Sequence, residues 1–195
     1  QWQRLPVQGG GWVNITDEAG TGFSGTKSAT LSVVGAPLTW SGDLYRCVAT
    51  NSSGSATSSA ATLTINPRSP TFSSHPQSQT KVVGSAVTFH SIADGEPYPT
   101  FQWQKNGVNI TGANESSYQI PTVSTSDGGT YRVVASNIGG SSTSNEAVLT
   151  VIVPPSITTE PVNQTIIEGS PVTFSATASG TPSPGFQWQK DGVDI

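Results

Sequence analysis

Acid–base catalysis near neutral pH needs a paired donor and acceptor, and this chain offers few side chains that could form such a pair. Its histidines are His75 and His90, the residue type whose charge changes near neutrality. His90 falls on the outward phase of an alternating run, where a solvated surface role is expected. Asp17/Glu18 and Asp94/Glu96 are carboxylate pairs of the type that cleave glycosidic bonds or hold calcium. Neither pair belongs to a ligand-spaced motif and both fall in expected turns, so they read as loop charges. Cys47 is the one cysteine, which excludes a Cys/His zinc set within the chain. Gly9-Gly10-Gly11 lacks the lysine and following helix of a phosphate loop and reads as a turn. No catalytic residue, cofactor or metal is expected.

Two aromatics hold more interest. Trp12 and Trp40 are distinct from the repeated core Trp. As exposed platforms they would suit sugar binding; as members of a satellite cluster they would only pack. Asn-x-Ser/Thr sequons begin at Asn14, Asn51, Asn109, Asn114 and Asn163. They are glycan acceptors on a eukaryotic secreted chain, but a sequence with 53 Ser and Thr among 195 residues generates such triplets by chance.

Composition narrows the class further. Charged residues make up 10% of the chain and the net charge is −4, against about 25% charged in an ordinary domain. Eight dispersed Lys and Arg cannot build the footprint that nucleic-acid binding requires. No apolar run approaches the ~18 residues of a membrane span. The chain opens on Gln rather than Met, so its true start is expected upstream.

A repeat positions these residues. Gln-Trp-Gln occurs at 1–3, 102–104 and 187–189, and residues 70–110 set against 155–195 agree at 21 of 41 positions. Tyr45-Arg46-Cys47-Val48-Ala49 matches Tyr131-Arg132-Val133-Val134-Ala135 at a separation of 86 residues. Asn66-Pro67-Arg68-Ser69-Pro70 and Pro154-Pro155 mark the boundaries. Within each copy, apolar residues alternate, as at Val87/Phe89, Tyr131/Val133/Ala135 and Ala147/Leu149/Val151, the period of half-buried strands. Asn106-Gly107 and Asp191-Gly192 are two-residue hairpin turns. About seven short strands per copy predict an all-β, two-layer sandwich.

These residues resemble the immunoglobulin-like fold, most closely the intermediate-type repeats found in tandem on bacterial secreted and cell-surface proteins. Gly84-Ser85-Ala86-Val87-Thr88-Phe89 stands for strand B, Gln102-Trp103-Gln104 for strand C, and Asp127-Gly128-Gly129-Thr130-Tyr131 for the entry to strand F. The resemblance implies a core of Trp2, Tyr45, Cys47, Phe89, Trp103, Tyr131, Val133, Phe174 and Trp188, with Tyr131 as a tyrosine corner. The positions that would carry an inter-sheet disulfide hold Ser91 and Val133 in the middle copy, and Ala176 in the third. In the first copy Cys47 holds the strand F position; it is either half of a disulfide in a longer chain or a buried hydrophobe. That copy also has Ser41 where the corner Asp is expected.

The resemblance implies tandem sandwiches, one complete and two truncated. Residues 1–66 lack strands A and B and carry an extra hairpin in about fifteen added residues, expected to include Gly9–Asn14. Residues 69–152 form a complete domain, and 155–195 the N-terminal part of a third. The incomplete copies are expected to leave bare strand edges open to strand exchange, although no obligate oligomer is implied. The implied function is a non-catalytic, secreted or cell-surface module: a spacer or adhesive stalk with an unknown protein or polysaccharide partner. The alternative is an accessory carbohydrate-binding region beside a polysaccharide-active enzyme. Exposure of Trp12 and Trp40 favours the alternative, and their burial favours the spacer.

Overall fold

The computed structural model describes all 195 residues, which divide into two compact units. The first comprises Gln1–Ser69 with the loops Gly95–Tyr98 and Asn137–Gly140; the second comprises Pro70–Asp94, Pro99–Ser136 and Ser141–Ile195. Helix is confined to two 3-10 turns, Leu38–Trp40 and Thr125–Asp127. Everything else regular is strand.

The first unit contains β1 (Trp2–Leu5), β2 (Val13–Asn14), β3 (Phe23–Ser24), β4 (Ser32–Val33), β5 (Leu44–Asn51), β6 (Gly54–Thr57) and β7 (Ala61–Thr62). β1 runs antiparallel between β2 and β5, with Gln3 opposite Asn14 and Trp2 opposite Cys47. β6 and β7 both pair with β5. The three glycines at 9–11 lengthen the loop of the β1–β2 hairpin. A separate hairpin, β3–β4, forms further along the chain, with Phe23 opposite Val33.

β8 (Arg68–Ser74) starts in the first unit and runs into the second. There follow β9 (Gln79–Val82), β10 (Val87–His90), β11 (Ile92–Glu96), β12 (Thr100–Lys105), β13 (Val108–Asn109), β14 (Ser117–Ile120), β15 (Gly129–Asn137), β16 (Gly140–Thr143), β17 (Ala147–Thr159), β18 (Thr177–Thr181), β19 (Gln189–Lys190) and β20 (Val193–Asp194). One layer holds the β10–β14 and β8–β11 pairs; the other runs β13–β12–β15–β17, with β16 on β15 and β9 parallel to β17. The β12–β13 turn is two residues because Asn106 (φ 50°) and Gly107 (φ 82°) both take the left-handed conformation that Asn-Gly tolerates.

Strand alternation places the core between these layers. Val87 and Phe89 project from β10, and Trp103, Tyr131, Val133 and Leu149 project from the opposing sheet; all are fully or nearly fully buried. Phe89 stacks on Tyr131 with ring centroids 4.8 Å apart and packs against Trp103 at 6.1 Å. Offset aromatic contacts of this kind add to the area they bury.

Residues 155–195 behave differently. β17 continues to Thr159 and pairs with β18, and β19–β20 form a hairpin, but no strand covers the segment between. Phe174 is 51% exposed and Trp188 40% exposed. Their assignment to a buried core is therefore corrected: the strands that bury Phe89 and Trp103 have no counterpart over them. Trp2 and Cys47 are half-buried rather than sealed, while Tyr45 is buried.

Candidate functional site

The Gln-Trp-Gln motif does its chemistry on the backbone. In all three copies the first glutamine donates two hydrogen bonds that tie the Trp carbonyl to a carbonyl on the returning strand. Gln1 Nε2 reaches Trp2 O and Ile15 O, both at 2.8 Å; Gln102 Nε2 reaches Trp103 O at 2.9 Å and Ile110 O at 2.8 Å. Gln187 Nε2 repeats this with Trp188 O and Ile195 O. The second glutamine donates across the hairpin, Gln3 to Asn14, Gln104 to Asn109 and Gln189 to Asp194. Its own Oε1 accepts from Arg46 and Arg132 in the first two copies. The repeat of the motif was visible in the sequence; this clamp was not, because it depends on where the hairpin returns.

The two corner tyrosines differ. Tyr131 Oη donates to Asp127 O at 2.7 Å. Burial first, then the Asp127 carboxylate, pushes that hydroxyl up to about 12. The Ser124 hydroxyl and N–H both bond the Asp127 carboxylate, which holds its pKa below the usual value. Tyr45 Oη is buried with no partner, and burial raises its pKa. The hydrogen bond that Tyr131 makes at its corner has no counterpart at Tyr45.

Where a disulfide would bridge the layers, Ser91 donates from Oγ to Ser116 O at 2.9 Å, and Val133 packs with no exposed surface. Cys47 sits opposite Trp2, its N–H bonded to Ser58 Oγ at 2.9 Å.

Trp40 and Trp12 are both half-buried against arginine. Trp40 stacks on Phe23 at 5.0 Å with 5° between the rings, and the Arg4 guanidinium lies 4.1 Å from its ring centroid. Arg4 in turn pairs with fully buried Asp43 at 2.5 Å, whose other oxygen accepts from Val7 N. Burying a carboxylate requires such partners. The Arg46 guanidinium lies 4.0 Å from the Trp12 ring centroid. His90 is exposed, and His75 Nδ1 accepts from Asn145 N at 3.1 Å. The five sequon asparagines are all exposed. No three His, Cys, Asp or Glu side chains gather as metal ligands.

A buried strand Trp, a facing corner Tyr and two packed β layers define a class, the tandem antiparallel sandwich. An immunoglobulin domain family model matches residues 69–137 and 154–195, and the chain belongs to that family. It is 33% identical over 153 residues to Roundabout homolog 1 of Rattus norvegicus, a stretch covering 76% of this chain and 9% of that protein. It is 34% identical over 157 residues to hemicentin-1 of Mus musculus, covering 77% of this chain and 3% of that protein. The chain thus spans a small part of the relatives it matches. The solved Sidekick-1 immunoglobulin domains 1–5 share its fold at a TM-score of 0.51 and 22% identity, covering 100% of this chain and 43% of that one. Both relatives are animal proteins, so the expected bacterial affinity is not supported.

Proposed function

We propose that this chain is a non-catalytic extracellular interaction module, in which tandem immunoglobulin domains act as a spacer or adhesive stalk toward a protein partner. One observation carries the reading: the immunoglobulin domain match over residues 69–137 and 154–195, together with the likeness to Roundabout homolog 1 and hemicentin-1. One further feature supports a stiff spacer: Pro67 and Pro70 restrict the backbone around Arg68. Trp12 and Trp40 support packing over sugar binding, because guanidinium groups lie on their rings.

The test uses the whole chain with dyes at its two ends. A narrow distance distribution by energy transfer is expected, and one as broad as a flexible coil of equal length overturns the spacer. Affinity electrophoresis through a panel of soluble polysaccharides should show no retardation. Retardation abolished by Trp12→Ala would replace the reading with carbohydrate binding.

A further inference from the structure

The fold accounts for half of one repeated triplet and leaves the other half without a task. Asn14-Ile15-Thr16 and Asn109-Ile110-Thr111 stand at the same place in two copies. Asn14 lies opposite Gln3 and Asn109 opposite Gln104, each on the returning strand of its hairpin. Ile15 is buried and Ile110 packs against the core. Strand alternation therefore turns the flanking Asn and Thr outward, and all four are exposed.

The asparagine oxygen is used. Asn14 Oδ1 accepts from Gln3 Nε2 at 2.9 Å, and Asn109 Oδ1 accepts from Gln104 Nε2 at 2.8 Å. The third copy makes this bond with Asp194, opposite Gln189, at 2.8 Å. A carboxylate has no nitrogen, so the clamp needs the oxygen alone. Nδ2 of Asn14 and of Asn109 donates to no protein atom, and the Thr16 and Thr111 hydroxyls have no protein partner. Asn137 is the contrast: it donates Nδ2 to Pro97 O at 2.7 Å, and Gly139 stands two residues on. The triplets at Asn51 and Asn163 do not recur, since the second copy has Asn137-Ile138-Gly139 and Ser78-Gln79-Thr80 in their places.

We propose that Asn14 and Asn109 carry N-linked glycans, attached through Nδ2 while Oδ1 keeps its bond to the glutamine. The donor is an oligosaccharide linked to a lipid diphosphate. Nδ2 bonds the anomeric carbon of its first sugar and gives up one proton to solvent. The bond from that carbon to the diphosphate oxygen breaks, and the lipid diphosphate leaves with the electron pair. Asn-x-Thr is the triplet that marks such an acceptor, which gives the two threonines the role that the fold does not. This inference rests on the extracellular reading above; a secreted chain without sugar would overturn it and leave that reading intact.

The test is the whole chain made in a eukaryotic cell behind a cleavable secretory leader, with peptides mapped from medium and lysate alike. Sugar should be found on Asn14 and Asn109, raising the mass above 20.1 kDa. Thr16→Ala should remove the first glycan and Thr111→Ala the second, with strand content unchanged because both threonines are exposed. Release of the sugars by an amidase turns each acceptor into aspartate, and the Asp194 bond implies that the hairpin survives this. Hydrogen exchange at Ile110 N–H should therefore be the same before and after release. Bare Asn14 or Asn109, glycans indifferent to Thr16→Ala and Thr111→Ala, or an Ile110 exchange rate that changes on release would each overturn the proposal.

Discussion

Tyr131 and Tyr45 occupy one position in two copies, yet only Tyr131 has a partner for its hydroxyl. A buried hydrogen bond is worth about 1 kcal/mol, and a buried unpaired hydroxyl costs about 1–3 kcal/mol. Tyr131→Phe should therefore destabilise the second unit by about 1 kcal/mol, whereas Tyr45→Phe should leave the first unit unchanged or more stable. Denaturant midpoints read by unit-specific tryptophan emission check this pair. The sign with pH follows from the raised Tyr131 pKa. Below pH 10 folded and unfolded chains both hold the proton; between 10 and about 12 only the unfolded chain releases it. Stability of the second unit is thus complete below pH 10 and falls as pH rises through that window. Tyr131→Phe should flatten the fall. Asp127 acts oppositely: its lowered pKa contributes above the ordinary value of 3.8 and is lost as pH drops below it.

At the scale of the element, the β12–β13 hairpin is held by the Gln102 and Gln104 carboxamides as well as by its ladder. Gln102→Ala removes two donors at once and should cost about 1–2 kcal/mol. Hydrogen exchange at Ile110 N–H, which bonds Trp103 O at 2.9 Å, should accelerate at the same time. An unchanged rate there would mean that the ladder alone holds the hairpin. The strands and this turn were legible because period-2 alternation and Asn-Gly are local signals. The clamp was not legible, since a glutamine between two aromatics reads only as polar and outward. Nor was the stacking of Arg4 and Phe23 on Trp40, because it joins residues far apart in sequence. Phe174 and Trp188 failed for a related reason: their sequence matches Phe89 and Trp103, but burial is set by strands that come later in a domain.

For the whole molecule, the 69–152 region carries the densest core. Trp103 has no exposed surface and lies among Phe89, Tyr118 and Val133. Trp103→Ala should cost ~3–5 kcal/mol, a large part of the ~5–15 kcal/mol that holds a domain folded. A denaturation midpoint unchanged by that substitution would remove Trp103 from the core. Stability should accordingly be uneven along the chain. Amides of β10, β12 and β15 lie in paired strands beneath this core, whereas residues 161–167 and 171–176 belong to no strand and their side chains are largely exposed. Native-state hydrogen exchange of the chain should show slow exchange at Val133 and Phe89, which are fully buried. Exchange should be faster by several orders of magnitude across 171–176. If 171–176 were as protected as β10, that segment would be covered rather than open.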